Sequence, residues 1–132
     1  MLDRIDRSLA PSVRALSLRA QRSEVIAANI ANADTPNYKA KDFDFQAAMR
    51  GAVRNADLGL VRTSDRHLTG QGGKGGLADL QYRHPVQPSI DGNTVEMDAE
   101  VGRFSDNAMR YQAALTFTNS KISGLRTAIQ GQ

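Results

Sequence analysis

A chain of 132 residues with 17 Lys and Arg against 14 Asp and Glu, a formal net charge of +3, suits one small domain or one long helical hairpin with an excursion, not two independent cores. Aromatics make up 5% with no Trp, and aliphatic residues dominate the 40% hydrophobic share, which excludes a thick globular core and favours thin helix-helix seams. The diffuse basic surplus excludes nucleic acid as a partner, the lack of Cys excludes disulfide and thiol chemistry, and no window nears the roughly 18 apolar residues of a membrane span.

The first element is a helix over 1–33, in which Leu2, Ile5, Leu9, Val13, Leu16, Ala20, Ser23, Ala27 and Ile30 keep a period near 3.5 residues. Pro11 disfavours helical geometry at Ala10, so the regular helix is expected to begin near Pro11 or Ser12, with the first ten residues loose or ordered only on assembly. Arg4, Arg7, Arg14, Arg19 and Arg22 against Asp3 and Asp6 make this end locally basic; contact with phosphate or anionic lipid is its minor reading. Asp34, Thr35, Pro36 and Asn37 then break the helix. Pro36 holds Thr35 extended, and Asn37 tolerates the left-handed conformation of a tight turn.

A turn and short helix follow over 34–54, with Phe45 and Met49 stacked at i and i+4 and Gly51 available as a cap. From 55 to 92 the composition shifts to Gly, Thr, Ser and Pro with short alternating runs such as Leu80-Gln81-Tyr82, a small β or irregular excursion. Within it residues 69–76 hold five glycines in eight, which reads as a flexible loop.

The last element is a helix over 93–132, with Asn93 as N-cap and Glu96 reaching back. Met97, Val101, Phe104, Ala108, Tyr111, Leu115, Thr118, Ile122, Leu125 and Ile129 are spaced alternately by four and three residues, a heptad stripe of about four repeats. Such a stripe has two readings: the core of an intramolecular hairpin, or a seam offered to neighbours. A helix about 45 to 50 Å long is longer than so small a domain covers, which favours neighbours.

Nothing in the chain supports catalysis. His67 and His84, with Asp65 and Asp79 nearby, lack any metal-ligand spacing. Lys74 sits in the glycine cluster without the GK[ST] of a phosphate loop. Asp91, Glu96, Asp98 and Glu100 cluster at a helix start, where the macrodipole favours them in any case. No cofactor, metal or small-molecule substrate is expected. The choice lies between a structural subunit of a helical assembly and a small helical binding module or adaptor.

Residues 29–40, reading Asn-Ile-Ala-Asn-Ala-Asp-Thr-Pro-Asn-Tyr-Lys-Ala, resemble the signature near the N-terminus of bacterial flagellar rod, hook and related axial proteins. The opening Met1-Leu2-Asp3-Arg4, the run Leu80-Gln81-Tyr82-Arg83, and residues 88–98 from Pro88 to Asp98 are most similar to the proximal members of the rod family. The family commonly has Gly where Asn37 stands, and Asn is the next-best residue for a left-handed turn.

The resemblance implies a mainly α fold whose terminal helices pair as a coiled-coil hairpin, and a role as a structural rod subunit that transmits torque from the motor's membrane ring to the hook. The implied partners are copies of the chain, other rod proteins, the adaptor between rod and ring, and the flagellar type III export apparatus, with no cleaved signal peptide. The implied location is the basal body in the periplasmic space. Asn29, Asn32, Thr35, Pro36 and Tyr38 would then fix the turn that leaves the first helix, and the two heptad stripes would be assembly seams.

Overall fold

The computed structural model describes residues 2–55, 79–85 and 87–131. The order is α1 (Leu2–Ala31), β1 (Lys41–Asp42), α2 (Phe45–Asn55), β2 (Gln81–Tyr82) and α3 (Met97–Gln130). The fold is mainly helical, with α1 and α3 packed against each other. Among the described residues no helix is long and apolar enough to cross a membrane. The glycine-rich loop at 69–76 and His67 lie outside the described residues.

Cross-links show α1 and α3 running antiparallel. Asn29 meets Glu100 (Nδ2 to Oε2, 3.1 Å), the Asn107 side-chain amide donates to the Arg19 carbonyl (2.9 Å), and the Lys121 ammonium donates to the Ser8 carbonyl (2.8 Å). One end of the hairpin therefore carries the turn after α1. The other is open, with the start of α1 beside the end of α3.

The expected loose N-terminal segment is instead helix: α1 is continuous from Leu2 and contains Pro11. An internal proline removes one ladder bond and costs about 3 kcal/mol. Here tertiary contacts oppose that cost, since Lys121 binds the Ser8 carbonyl just before the proline and Ile5 and Leu9 lie beside Ile122, Leu125 and Ile129.

The start of α3 is also displaced from expectation. Helix begins at Met97, and Glu96, extended at φ −107° and ψ 101°, is an N-cap with no side-chain cap bond. Asn93 is committed elsewhere, as described below. At the far end Gly131 adopts φ 71° and its N–H reaches the Thr127 carbonyl at 3.0 Å, a left-handed helix stop.

Residues 34–54 form a turn, a strand and a helix. Asp44 precedes α2, and its carboxylate accepts the Gln46 N–H at 2.8 Å. Gly51 lies inside α2 rather than capping it, because the helix continues to Asn55. The ring of Phe45 holds α2 to α1, with the Arg19 guanidinium carbon 3.9 Å above its centroid, and the Arg14 guanidinium donates to the Ala52 carbonyl. Strands β1 and β2 pair antiparallel with Lys41 opposite Tyr82 and Asp42 opposite Gln81.

Candidate assembly site at the turn and along the helix seams

Three linked arrangements converge where the excursion leaves and rejoins the hairpin. The first is the turn. Asn37 has φ 62°, the left-handed conformation expected of it, and its N–H donates to the Asp91 carbonyl at 3.0 Å. Gly92, at φ +71°, packs so close that an added Cβ would lie 2.7 Å from Asn37 Oδ1. Asn32 donates to the Ala28 carbonyl (2.8 Å) and accepts the Thr35 hydroxyl (3.2 Å). Tyr38 contributes its backbone, donating to the Thr35 carbonyl (3.3 Å) and accepting the Thr94 N–H (3.0 Å); Pro36 is exposed.

The second is a clasp by Asn93, which is 5% exposed. Its amide nitrogen lies 3.1, 2.6 and 3.0 Å from the carbonyls of Asn32, Ala33 and Thr35 in the turn that follows α1, two of which also accept a backbone N–H, from Thr35 and Tyr38. Its Oδ1 accepts the Val95 N–H at 2.8 Å. The Asn93 N–H in turn donates to Asp91 Oδ1 at 3.1 Å, the leading reason that the Asp91 carboxyl is held below its usual range. A residue just before α3 thus pins the turn that follows α1.

The third is a charge network around Glu100, whose side chain is fully buried. Glu100 Oε1 accepts from Arg83 and, at 2.8 Å, from Arg103, while Oε2 accepts from Asn29. Arg83 also reaches Asp42 Oδ2 at 3.0 Å, and Arg22 binds both oxygens of Asp42 at 3.1 and 2.9 Å. Burial alone would raise the Asp42 carboxyl, but the Arg22 and Phe43 N–H bonds and the charges of Arg22 and Arg83 outweigh it and lower the group. Asn29, fully buried, treats β1 as a strand partner, donating to the Lys41 carbonyl (2.8 Å) and accepting its N–H (3.0 Å). A buried charge is tolerated when paired and hydrogen-bonded on this scale.

The heptad stripes are placed differently from an intramolecular core. On α3 the buried positions are Glu100, Asn107 and Thr118, so polar groups face α1 over the first half. Val101 and Phe104 are 49% and 40% exposed, Ile122 and Ile129 47% and 73%. Ala108 and Tyr111 are exposed, and Leu115 and Leu125 half-buried. A heptad stripe drifts about 20° per repeat on a straight helix. This one starts turned away from α1 at Val101 and comes round to it at Thr118 and Leu125. On α1 the buried residues are Leu18, Ile26 and Asn29. Val13, Ala20 and Ala27 are exposed, while Leu9, Leu16 and Ile30 are half-buried.

Glu100, Asn107, Asp42, Arg22 and Arg83 were not singled out as site residues from sequence. The signal available was the spacing of Glu100 and Asn107, polar residues seven apart and each one residue before an apolar stripe position.

A family profile described as "Flagella basal body rod protein" matches residues 11–39, the second part of α1 and the turn. The chain is 46% identical to the flagellar basal body rod protein FlgB of Salmonella typhimurium, over 99% of both chains. It is likewise 46% identical to FlgB of Escherichia coli over 98% of both, and to FlgB of Cereibacter sphaeroides over 94% of both. These matches define the class, a structural component of the flagellar basal body rod rather than an enzyme. Within that class the chain belongs to the FlgB family.

Proposed function

We propose that the chain is a proximal rod subunit, part of the shaft that carries torque from the motor's membrane ring toward the hook and filament. It spans the periplasmic space with copies of itself and other rod proteins, meets the ring through the adaptor, and arrives through the flagellar type III export apparatus. The seam residues Val101, Phe104, Ala108, Tyr111, Ile122 and Ile129 make coiled-coil contacts between subunits, joined by Val13, Ala20 and Ala27 of α1. Asn29, Asn32, Thr35, Pro36 and Tyr38 hold the exit from α1 in the geometry those contacts need.

One observation carries this reading: a 34-residue helix leaves most of its heptad stripe uncovered by its own chain. Uncovered apolar surface of this extent marks an interaction site. Parallel long helices with interdigitated side chains also resist bending, as a shaft requires.

The test is deletion of the gene followed by electron cryotomography of basal bodies, repeated with a version lacking residues 120–132. The expected result is intact membrane rings without rods in both strains. Normal rods in the deletion strain would overturn the proposal.

A further inference from the structure

The hairpin has two chemically different ends. At the open end an apolar groove of about 310 Å³ runs between Ile5 and Leu9 of α1 and Ile122, Leu125 and Ile129 of α3, with Arg126 on its wall. Among the described residues there, the exposed Arg7, Lys121 and Arg126 outnumber Asp6. At the turn end the exposed Glu24, Asp34, Asp91 and Asp98 outnumber Lys39. Beside them Met97, Val101 and Phe104, at i, i+4 and i+7 on α3, are 40 to 49% exposed. They present the spacing of a helix that lays its apolar face into a groove.

We infer that the open-end groove of one copy receives the Met97, Val101 and Phe104 face of a second copy, with Asp98 of that copy set against Arg126. This rests on the rod-subunit reading and names a contact within it. Asp98 lies three residues before Val101 on the helix and so flanks the inserted face, while Arg126 lines the receiving groove. The occupant is a second copy because the complementary surface, apolar at helical spacing and rimmed by acid, is on the chain itself. A groove-to-groove contact would instead bring Arg126 against its own counterpart. Two unlike patches that fit each other make a head-to-tail contact, which extends into a helical array instead of closing as a dimer.

The absence of Cys permits a direct test in assembled rods. A Phe104→Cys and Ile129→Cys double variant is expressed in a strain lacking the chromosomal copy, and isolated basal bodies are treated with a mild oxidant. The two positions are 25 residues apart on one helix, roughly 38 Å, so no disulfide forms within a chain. The expected product is a ladder of dimers and higher multiples that neither single variant gives. Adding Asp98→Arg or Arg126→Asp alone is expected to lower ladder yield roughly two- to fivefold, the effect of one exposed ion pair; adding both restores it. A variant present in rods without a ladder, adducts of masses other than multiples of the chain, or a charge swap that fails to restore yield would each overturn the inference. Absence of the unmodified chain from isolated basal bodies would instead remove the rod-subunit reading beneath it.

Discussion

Replacing Asn93 with Asp exchanges one NH₂ for an oxygen and leaves side-chain volume almost unchanged. The nitrogen lies within 3.1 Å of three carbonyl oxygens, so two N–H protons serve three acceptors. At about 0.5–1.5 kcal/mol for each neutral hydrogen bond, about 1–3 kcal/mol is lost. A carboxylate at a position 5% exposed, facing carbonyl dipoles, adds a desolvation and repulsion cost of about 1–3 kcal/mol. A total near 3–5 kcal/mol corresponds to a drop in Tm of about 10 °C or more for a domain of this size.

The sign with pH follows from the same contacts. Burial and the carbonyls disfavour the charged form, so the introduced carboxyl has a folded pKa raised above its unfolded value of about 3.9. Its favourable contribution is fully present below the unfolded pKa, where the protonated group donates again, and is lost as pH rises through the folded pKa. Urea unfolding of wild type and Asn93→Asp, followed by far-UV circular dichroism at neutral and acid pH, reads the difference directly. The gap should be wide at neutral pH and narrow on acidification. Equal stability at neutral pH, or a gap independent of pH, would refute the clasp.

Pro11→Ala restores a ladder bond in α1 and should raise stability by about 1–3 kcal/mol; a lower Tm would show that the proline is accommodated without cost. Asp42→Asn should cost about 1–3 kcal/mol at neutral pH by removing charge-assisted bonds to Arg22 and Arg83. Because the Asp42 pKa is depressed, its contribution is present above the unfolded value and lost as pH falls through the folded one. The acid limb of the stability profile should therefore flatten in the variant, as urea titrations across that range would report. Phe104→Asp, at a position 40% exposed, should leave monomer stability within about 1 kcal/mol of wild type yet abolish rods in tomograms; assembled rods would remove Phe104 from the seam.

Much of the architecture was legible because it rests on local signals. Period and length gave both long helices, and Asp34 to Asn37 gave the break, since proline and left-handed asparagine act within a few residues. The start of α1 was not legible. Proline propensity is a local term, and it was overridden by contacts with α3 more than 100 residues away, the Lys121 bond to Ser8 among them. Asn93 was legible only in part for a related reason: its oxygen accepts a backbone N–H just ahead of α3, as an asparagine before a helix does by default, but nothing nearby reveals that its amide nitrogen reaches the turn after α1. The buried row of α3 escaped because apolarity was used to find the interior, whereas this chain turns Glu100 and Asn107 inward and leaves Val101 and Phe104 outside.

That inward polar row has a mechanical consequence. Two helices joined only by aliphatic side chains can slide past each other by a heptad and recover most of their contacts. Here such a slip would strand Glu100 away from Arg83 and Asn29, and breaking a buried charge pair costs about 3–5 kcal/mol. The Asn107 to Arg19 bond and the Lys121 to Ser8 bond would be forfeited in the same movement. The hairpin therefore behaves like a shaft with a key in its keyway: load along or around its axis meets discrete stops rather than friction.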